Sequence, residues 1–327
     1  MSFAALVSRL RRTGDKGFAE AQPRRENTIP DFLDAYSIQT WLESCPQGYL
    51  ENTVYGHDAN ESEPEFLFEN PILMEDAIRT TVQLVVGERA ALAASSGLIN
   101  IAPDPSSKRF LATQTLDEAR HVEIFSQRLY DLGVKKTAFE DTIKQYANPH
   151  LVAFAGVLLE KVDKGDFIAG VVGQNIVLEG LAFSVFEMLQ AAVQNSNPKL
   201  GQTLAGTIAD ERRHVGFGEN RIGSLIKEHP ERKPEIEKMQ KDMSYLMLAS
   251  FGDLFHQNAA AVAEGQRLIQ ANAEAANEPV AVAKWQGADL TTLEPTELEA
   301  LLGDTVLKEF KVRLSRIGLE YQTPATP

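Results

Sequence analysis

The pattern Asp-Glu-x-Arg-His occurs twice in this chain, as Asp117-Glu118-Ala119-Arg120-His121 and as Asp210-Glu211-Arg212-Arg213-His214. Glu88 lies 30 residues before the glutamate of the first copy, and Glu179 lies 32 residues before that of the second. Residues three apart share one face of an α-helix, roughly 5–6 Å from each other, so each Glu-x-x-His pair can hold one cation. The duplication predicts six ligands for two metal ions inside four helices. These ligands are Glu88, Glu118, His121, Glu179, Glu211 and His214.

The segments that carry these residues are apolar on the same side as the predicted ligands. Glu179 lies in the middle of residues 175–183, which form a nearly continuous apolar run, and Glu118 and Glu211 lie on stripes with a 3.6-residue period. Four buried and unpaired carboxylates would each be opposed by a desolvation penalty of several kcal/mol, whereas two divalent ions would cancel their charge. The pattern therefore favours a buried dinuclear site over four separate buried acids.

Four further residues are expected to orient the ligands. Asp117 and Asp210 precede the ligand glutamates, and a metal-bound imidazole usually donates its other N–H to a carboxylate. We expect the pairs to be crosswise, Asp117 with His214 and Asp210 with His121. Arg120 and Arg213 are expected to hold the two aspartates by bidentate hydrogen bonds. The alternative is that all four are ordinary polar residues beside a ligand.

Composition excludes several classes of function. The chain has 327 residues, 43% hydrophobic composition, a net charge of −14 and a pI near 5.0, which argues against a nucleic-acid partner. Much of the acid is expected in surface stretches such as residues 61–65. Cys45 is the only cysteine, so no intramolecular disulfide and no thiolate-held iron–sulfur cluster can form. With no signal peptide and no apolar run of ~18 residues, we expect a cytoplasmic protein without a membrane span.

The chain is expected to form a single helical domain over residues 1–327. Residues 1–30 are expected to form an arm, because Gly14, Gly17, Pro23 and Pro30 interrupt regular structure. Helical patterns cover about 72–100, 105–132, 138–160, 166–194, 198–228 and 233–273, and Pro149 is expected to kink or divide the third. Residues 277–327 are expected to form a C-terminal extension with a terminal helix. No strand pattern of comparable strength is present.

With these motifs, the chain resembles the ferritin-like superfamily of O₂-activating di-metal proteins, and within it the ribonucleotide reductase small-subunit group. The resemblance covers roughly residues 70–230 and implies an all-α, ferritin-like four-helix bundle with additional helices. It also implies two metal ions, Fe/Fe or Mn/Fe, with O₂ as co-substrate. Within the group, the chain is most similar to the ligand-binding oxidases, which hold a long-chain fatty acid.

Several positions depart from the patterns of these relatives. Phe125 lies four residues after the first His ligand, where ribonucleotide reductase small subunits usually have a radical-forming Tyr. The Val–Tyr cross-link of the ligand-binding oxidases corresponds to Ala91 and Gln174 here, so it cannot form. The Thr that bacterial multicomponent hydroxylases place four residues after the third glutamate corresponds to Phe183. The choice among these subfamilies therefore stays open.

The resulting expectation is an O₂-dependent oxidase or monooxygenase that acts on an apolar small molecule, with a fatty-acid-like ligand as one candidate. The alternatives are a ribonucleotide reductase small subunit without the radical Tyr, and a ferroxidase or iron-handling protein. A reductase or ferredoxin is expected as electron donor, and the chain is expected to form a homodimer. Six residues are expected to line the substrate cavity, although core packing is the alternative for each: Ala91, Phe125, Gln174, Phe183, Phe186 and Phe217.

Overall fold

The structure is a computed structural model, which describes residues 55–323. The predicted arm at residues 1–30 and Cys45 lie outside the described residues. The described helices are α1 (Glu65–Glu69), α2 (Pro71–Ile101), α3 (Pro105–Asp131), α4 (Phe139–Tyr146), α5 (Pro149–Asp163), α6 (Phe167–Val171), α7 (Glu179–Val193), α8 (Pro198–Glu228), α9 (Lys233–Ala276) and α10 (Pro295–Arg316). Short 3₁₀ turns lie at Lys136–Ala138 and Pro230–Arg232.

The all-α prediction is confirmed. Regular strands in the described part of the chain are limited to one small antiparallel ladder, in which β1 (Lys284–Trp285) pairs with β2 (Ala288–Asp289). This ladder lies in the connection between α9 and α10, within the extension predicted from residue 277. The predicted terminal helix is α10.

Four long helices begin in the same way, with Asn or Asp as the cap and proline as the first helical residue. The side chains of Asn70, Asp104, Asn148 and Asn197 accept hydrogen bonds from the first backbone N–H groups of α2, α3, α5 and α8. Such a cap satisfies donors that have no partner within the helix, and proline at the first position has no N–H to leave unpaired. Local sequence therefore sets the start of three of the helices that carry predicted ligands.

Helix α6 continues into α7 through a π-helical segment, Val172–Leu178, so the predicted helix at 166–194 has a wider turn in its middle. In this segment the backbone N–H of Glu179 donates to the carbonyl of Gln174, five residues earlier. π-Helical turns are rare and occur mostly at functional sites. By contrast, the predicted helix at 138–160 is two helices, because Pro149 starts α5 after a break at Ala147 and Asn148.

The four helical stretches that carry predicted ligands pack as a bundle. Helix α2 lies along α3, α7 lies along α8, and the π-segment contacts α8 and α2. Helices α5, α9 and α10 pack around this bundle, α9 against α5 and the π-segment and α10 against α7. One apolar cluster runs through all of these elements, and its fully buried side chains include Phe125, Phe154 and Phe310.

Two helical stretches, Pro71–Ile101 and Phe167–Val193, are long and apolar enough to cross a membrane by length and composition. The sequence analysis did not expect such stretches. In the structure, 56% and 61% of their most apolar windows are buried inside the protein. They are the helices that bring Glu88 and Glu179 to the centre of the bundle, which is why their composition is so apolar.

One surface prediction is wrong. Glu63 lies in the acidic stretch at residues 61–65, but it is only 7% exposed. Its carboxylate accepts hydrogen bonds from Arg128 of α3, at 3.1 Å from Nε, and from Asn197 at 2.8 Å. The buried guanidinium compensates the buried carboxylate, and the pair fastens the segment before α1 to the bundle.

Candidate metal centre

The six predicted ligands come from four helical stretches and meet in the bundle interior. Helix α2 supplies Glu88, α3 supplies Glu118 and His121, the start of α7 supplies Glu179, and α8 supplies Glu211 and His214. Each of the six is at most 4% exposed. The bundle thus brings together all the residues that the duplicated motif singled out.

The Nδ1 atom of His121 faces three carboxylates. It lies 3.4 Å from Glu88 Oε2, 3.6 Å from Glu118 Oε2 and 3.5 Å from Glu211 Oε1. One ligand atom from each of these four residues can be chosen so that all lie within 4.8 Å of one another. This is the geometry of a four-ligand cation site, which we call site 1.

The Nδ1 atom of His214 faces a second group. It lies 3.4 Å from Glu118 Oε1, 3.8 Å from Glu179 Oε1 and 3.4 Å from Glu211 Oε2. We call this group site 2. Glu118 and Glu211 each direct one oxygen at either histidine, so both are placed to bridge two cations, whereas Glu88 and Glu179 lie at opposite ends. Glu211 thus faces both sites, through Oε1 towards His121 and Oε2 towards His214.

Buried atoms without partners support this assignment. Among the described residues, His121 Nδ1, His214 Nδ1, Glu118 Oε2 and Glu211 Oε2 are buried and have no hydrogen-bond partner. Such atoms are rare inside proteins and call for an explanation. Imidazole nitrogen and carboxylate oxygen are good ligands for iron and manganese, so the residues present fit a pair of these ions.

The other nitrogen of each imidazole faces an aspartate in the crosswise arrangement that the sequence predicts. His121 Nε2 lies 3.2 Å from Asp210, and His214 Nε2 lies 3.2 Å from Asp117. Both aspartates are buried. This pairing directs both Nδ1 atoms at the glutamates.

Two arginines hold these aspartates. Arg120 donates to Asp210, and Arg213 donates to Asp210 and, at 2.9 Å, to Asp117. The two halves of the motif are therefore linked through Arg213, which contacts both aspartates. Although burial opposes ionisation, the hydrogen bond and charge of His121, with those of the arginines, hold the pKa of Asp210 well below its usual range.

Burial also shapes the ionisation of the ligands. It raises the pKa of Glu118 to about 7 and raises that of Glu179 well above its usual value. Burial would lower the pKa of His214, but its hydrogen bond to Asp117 and the nearby carboxylates of Glu211, Glu118 and Glu179 raise it to about 11. Without cations, the site therefore retains protons near neutral pH.

Three amides surround Glu179; sequence reasoning missed Gln114 and Asn175, and it assigned Gln174 to the substrate cavity. Gln114 Nε2 donates to Glu179 Oε1 at 2.6 Å, Asn175 Nδ2 donates to Glu179 Oε2 at 2.9 Å, and Gln174 Nε2 lies 3.2 Å from Glu179 Oε1. Gln114 and Asn175 also bond to each other at 3.1 Å. One signal was available: Gln114 is a polar residue one turn before Glu118 on the apolar face of α3. Both oxygens of Glu179 are thus held, and Glu88 has no amide partner among the described residues.

A cavity of about 580 Å³ adjoins this centre. Glu88, Glu179 and Glu211 line one part of it, and its remaining walls come mainly from α2, α7 and α9. Its size is typical of small-molecule sites, and its lining is mostly apolar. The cavity therefore gives an apolar molecule direct access to the carboxylates.

Of the six residues that were predicted to line a substrate cavity, two lie in the wall of this one and four make other contacts. Ala91 and Phe186 line the cavity. Phe125 is fully buried in the core, Phe183 packs on the guanidinium of Arg313 at 4.8 Å, Phe217 stacks on Phe110 with ring centroids 4.2 Å apart, and Gln174 bonds to the ligand carboxylates.

The physical reason is that the cavity lies on the α9 side of the bundle. Ala182 and Phe186 of α7 face that side, whereas Phe183 faces α10. Each residue of an α-helix is rotated by about 100° from the one before it, so neighbours in the sequence face different elements.

Comparison with known proteins supports the fold. No protein-family model matches the sequence, and no curated protein matches it. Among solved structures, one similar chain is a variant of an R2-like ligand-binding oxidase with an aerobically reconstituted Mn/Fe cofactor, with a TM-score of 0.61 and 16% identity over 90% of this chain and 99% of that chain. A second variant of that oxidase gives a TM-score of 0.57 and 16% identity over 96% of this chain and 92% of that one.

A third similar structure is a protein with aldehyde deformylating oxidase activity from Synechococcus. Its TM-score is 0.56 and its identity is 15%, over 77% of this chain and 94% of that chain. At these identities the likeness establishes the fold. The chain has the ferritin-like fold of the R2-like oxidases, as the sequence predicts.

Proposed function

We propose that this protein is a dinuclear metal oxidase that uses O₂ to oxidise an apolar small molecule. The single observation that carries the proposal is the pair of facing histidines with two glutamates between them: Glu118 and Glu211 each direct one oxygen at His121 and one at His214. Two of the similar structures are a ligand-binding oxidase with a Mn/Fe cofactor and a protein with aldehyde deformylating oxidase activity, which supports the same class.

The six ligands form two overlapping groups, one for each ion. Glu88, Glu118, His121 and Glu211 would hold one ion, and Glu118, Glu179, Glu211 and His214 would hold the other, as Fe/Fe or Mn/Fe. A bound pair of such ions would pass electrons from an external donor to O₂. Asp117 and Asp210 orient the imidazoles, and the apolar walls exclude water from the reacting end of the cavity.

The cavity favours an oxidase of organic compounds over the alternatives. A ferroxidase needs a path for iron ions, whereas this cavity has mainly apolar walls. A ribonucleotide reductase small subunit generates a radical, and the usual Tyr position is Phe125, which is fully buried. We therefore place the substrate in the cavity next to Glu88, Glu179 and Glu211. We also propose that the chain is water-soluble, that it receives electrons from a reductase or ferredoxin, and that it forms a homodimer in the cytoplasm.

Elemental analysis and oxygen uptake test this proposal. The purified chain should hold two ions of iron or manganese, and it should consume O₂ when a reductant and an apolar substrate are supplied. Replacement of the bridging glutamate, Glu118→Ala, should abolish oxygen uptake and lower the metal content, whereas Glu123→Ala on the same helix should change neither. A chain without metal, or rapid oxidation of many Fe(II) ions without an organic product, would contradict the proposal.

A further inference from the structure

The cavity contains a second group of polar side chains, away from the metal centre. Asp76 and Thr80 lie one turn apart on α2, and Asn258 of α9 lies opposite them. All three line the cavity, and Asn258 Nδ2 lies 3.4 Å from Thr80 Oγ1. We call these three residues the Asp76 subsite. Their neighbours in the wall include Leu73, Ala77 and Ala261, so the subsite is a polar patch in a largely apolar surface.

Two oxygens of the subsite lack donors. Asp76 Oδ1 and Asn258 Oδ1 are both buried, and no described residue donates a hydrogen bond to either. A buried acceptor without a donor is costly and is therefore rare in folded proteins. The subsite thus presents acceptors, and a ligand that carries N–H or O–H groups would satisfy them.

The nearby cations are already engaged. Arg79 donates to Glu75 at 2.8 Å, and Arg128 donates to Glu63 at 3.1 Å. Burial raises the pKa of Asp76 to about 6, although the charges of the two arginines lower it in part. The carboxyl is therefore mainly ionised at neutral pH, which favours a positively charged or donating neighbour.

The distance to the metal centre sets the length of the ligand. Asp76 precedes Glu88 by 12 residues on α2, and the helical rise places them about 18 Å apart along the axis. A long alkyl chain in its extended form, together with a polar group at each end, matches this separation. Between Asp76 and Glu88 the cavity is lined on α2 by Ala77, Leu84 and Gly87 among others. The wall is thus suited to an alkyl chain that connects a polar end at the subsite to a reacting carbon at the metals.

We propose that the Asp76 subsite binds the hydrogen-bond-donating end group of an alkyl ligand, an ammonium or a hydroxyl, and excludes a carboxylate there. The proposal rests on the proposed function for the chemistry at the other end of the ligand. A carboxylate end group would bring a second negative charge against Asp76 and would leave both acceptors without a donor. Specificity at this end therefore comes from charge repulsion as well as from hydrogen bonding.

Ligand binding tests the subsite with three probes of equal length: dodecylamine, 1-dodecanol and dodecanoic acid. Displacement of a fluorescent apolar dye from the full-length protein gives their affinities. We expect the amine and the alcohol to bind at least about tenfold more tightly than the acid, as one charge-assisted hydrogen bond implies. Asp76→Asn should weaken amine binding by a similar factor and leave the acid unchanged or tighter.

Two further variants complete the series, one as a control and one as a second test of the subsite. Glu69→Gln removes a charge of the same sign from an exposed residue that does not line the cavity, so it should leave all three affinities unchanged. Asn258→Leu should weaken both the amine and the alcohol. Tightest binding of the acid, or equal effects of Asp76→Asn and Glu69→Gln, would overturn the proposal. Unchanged thermal midpoints would show that the variants are folded.

The failures of the two proposals can be told apart. The displacement series is run on the metal-free chain and again on the metal-loaded chain. If the chain binds no metal, the proposed function fails. The order of the three affinities on the metal-free chain still tests the subsite proposal. If two metals bind but the ranking is absent, the subsite proposal alone is wrong.

Discussion

The hydrogen bond between His214 and Asp117 determines which nitrogen of the imidazole faces the glutamates. Asp117→Asn keeps the shape of the side chain, but its amide can present an N–H to the ring where the carboxylate accepted one. We expect metal affinity to fall by roughly 10–100-fold, as is typical when such a partner of a metal-bound imidazole is lost. Competition with a chelator of known affinity measures this change.

The matched control for this variant is Asp242→Asn. Asp242 is exposed on α9 and pairs with Lys238, far from the ligands in the sequence. Its replacement removes the same charge, so it should leave metal affinity unchanged. If both variants weaken binding equally, net charge and not the orientation of His214 is responsible.

At the residue scale, the sequence predicted the ligands and the aspartate pairing but not the amides. Glu118 and His121 were recognisable because their spacing repeats in Glu211 and His214. Gln114 and Asn175 carry no repeated spacing, and the wide turn before Glu179 cannot be inferred from apolar periodicity. The orientation of the aromatic residues could not be predicted for a related reason: Phe183 and Phe186 are both apolar, and only packing shows which one faces α9.

The π-segment Val172–Leu178 is held by a close approach of α8. Gly218 has no side chain, and a Cβ atom there would overlap with Asn175 Cβ and lie 3.3 Å from Ile176 Cδ1. Asn175 is fixed by its hydrogen bonds to Glu179 and Gln114, so it cannot move away without loss. The glycine is therefore needed where α8 passes the π-segment.

Gly218→Ala should consequently destabilise the protein by about 1–3 kcal/mol, the usual cost of overpacking. The control is Gly216→Ala on the same helix, where a new Cβ meets no atom within 4 Å; alanine in an exposed helical position should stabilise by up to about 1 kcal/mol. Chemical denaturation of both variants measures the difference. Equal stabilities of the two variants would show that the π-segment can shift to accommodate a Cβ atom at little cost in free energy.

Helix boundaries followed from the sequence where proline and a capping residue occur together. Asn148-Pro149 divided one predicted helix, and Asn197-Pro198 started another where expected. Caps act within a few residues, so local sequence is sufficient to place them. The π-segment depends instead on contacts with α8 and α9, which are distant in the sequence.

For the whole molecule, the shifted pKa values predict how stability depends on pH. The folded pKa of Glu118, about 7, lies above its usual value, so its contribution favours the folded metal-free chain at low pH and is lost as pH rises from 4.5 to about 7. The contribution of His214 is fully present below pH 6.5 and is lost as pH rises towards about 11. Both shifts destabilise the metal-free chain as pH rises.

Metal binding should reverse this trend, because bound cations favour the deprotonated ligands and release their protons. The difference in thermal midpoint between the metal-loaded and metal-free protein should therefore widen from pH 6 to pH 8. Differential scanning calorimetry at several pH values measures it. A difference that narrows over this range would contradict the assigned ionisation.

The 44 residues of helix α9 are buried to different extents in its two halves. Its buried residues are Ile236, Gln240, Met243, Ser244, Met247, Ser250 and, beyond them, only Ala261. The later half still forms a wall of the cavity, through residues such as Phe255 and Val262. Segments with few buried contacts open at low free energy, so amide hydrogens of residues 255–276 should exchange with deuterium sooner than those of residues 236–250. A ligand can then enter the cavity through local unfolding of this half of α9, while the helices that carry the metal ligands stay folded.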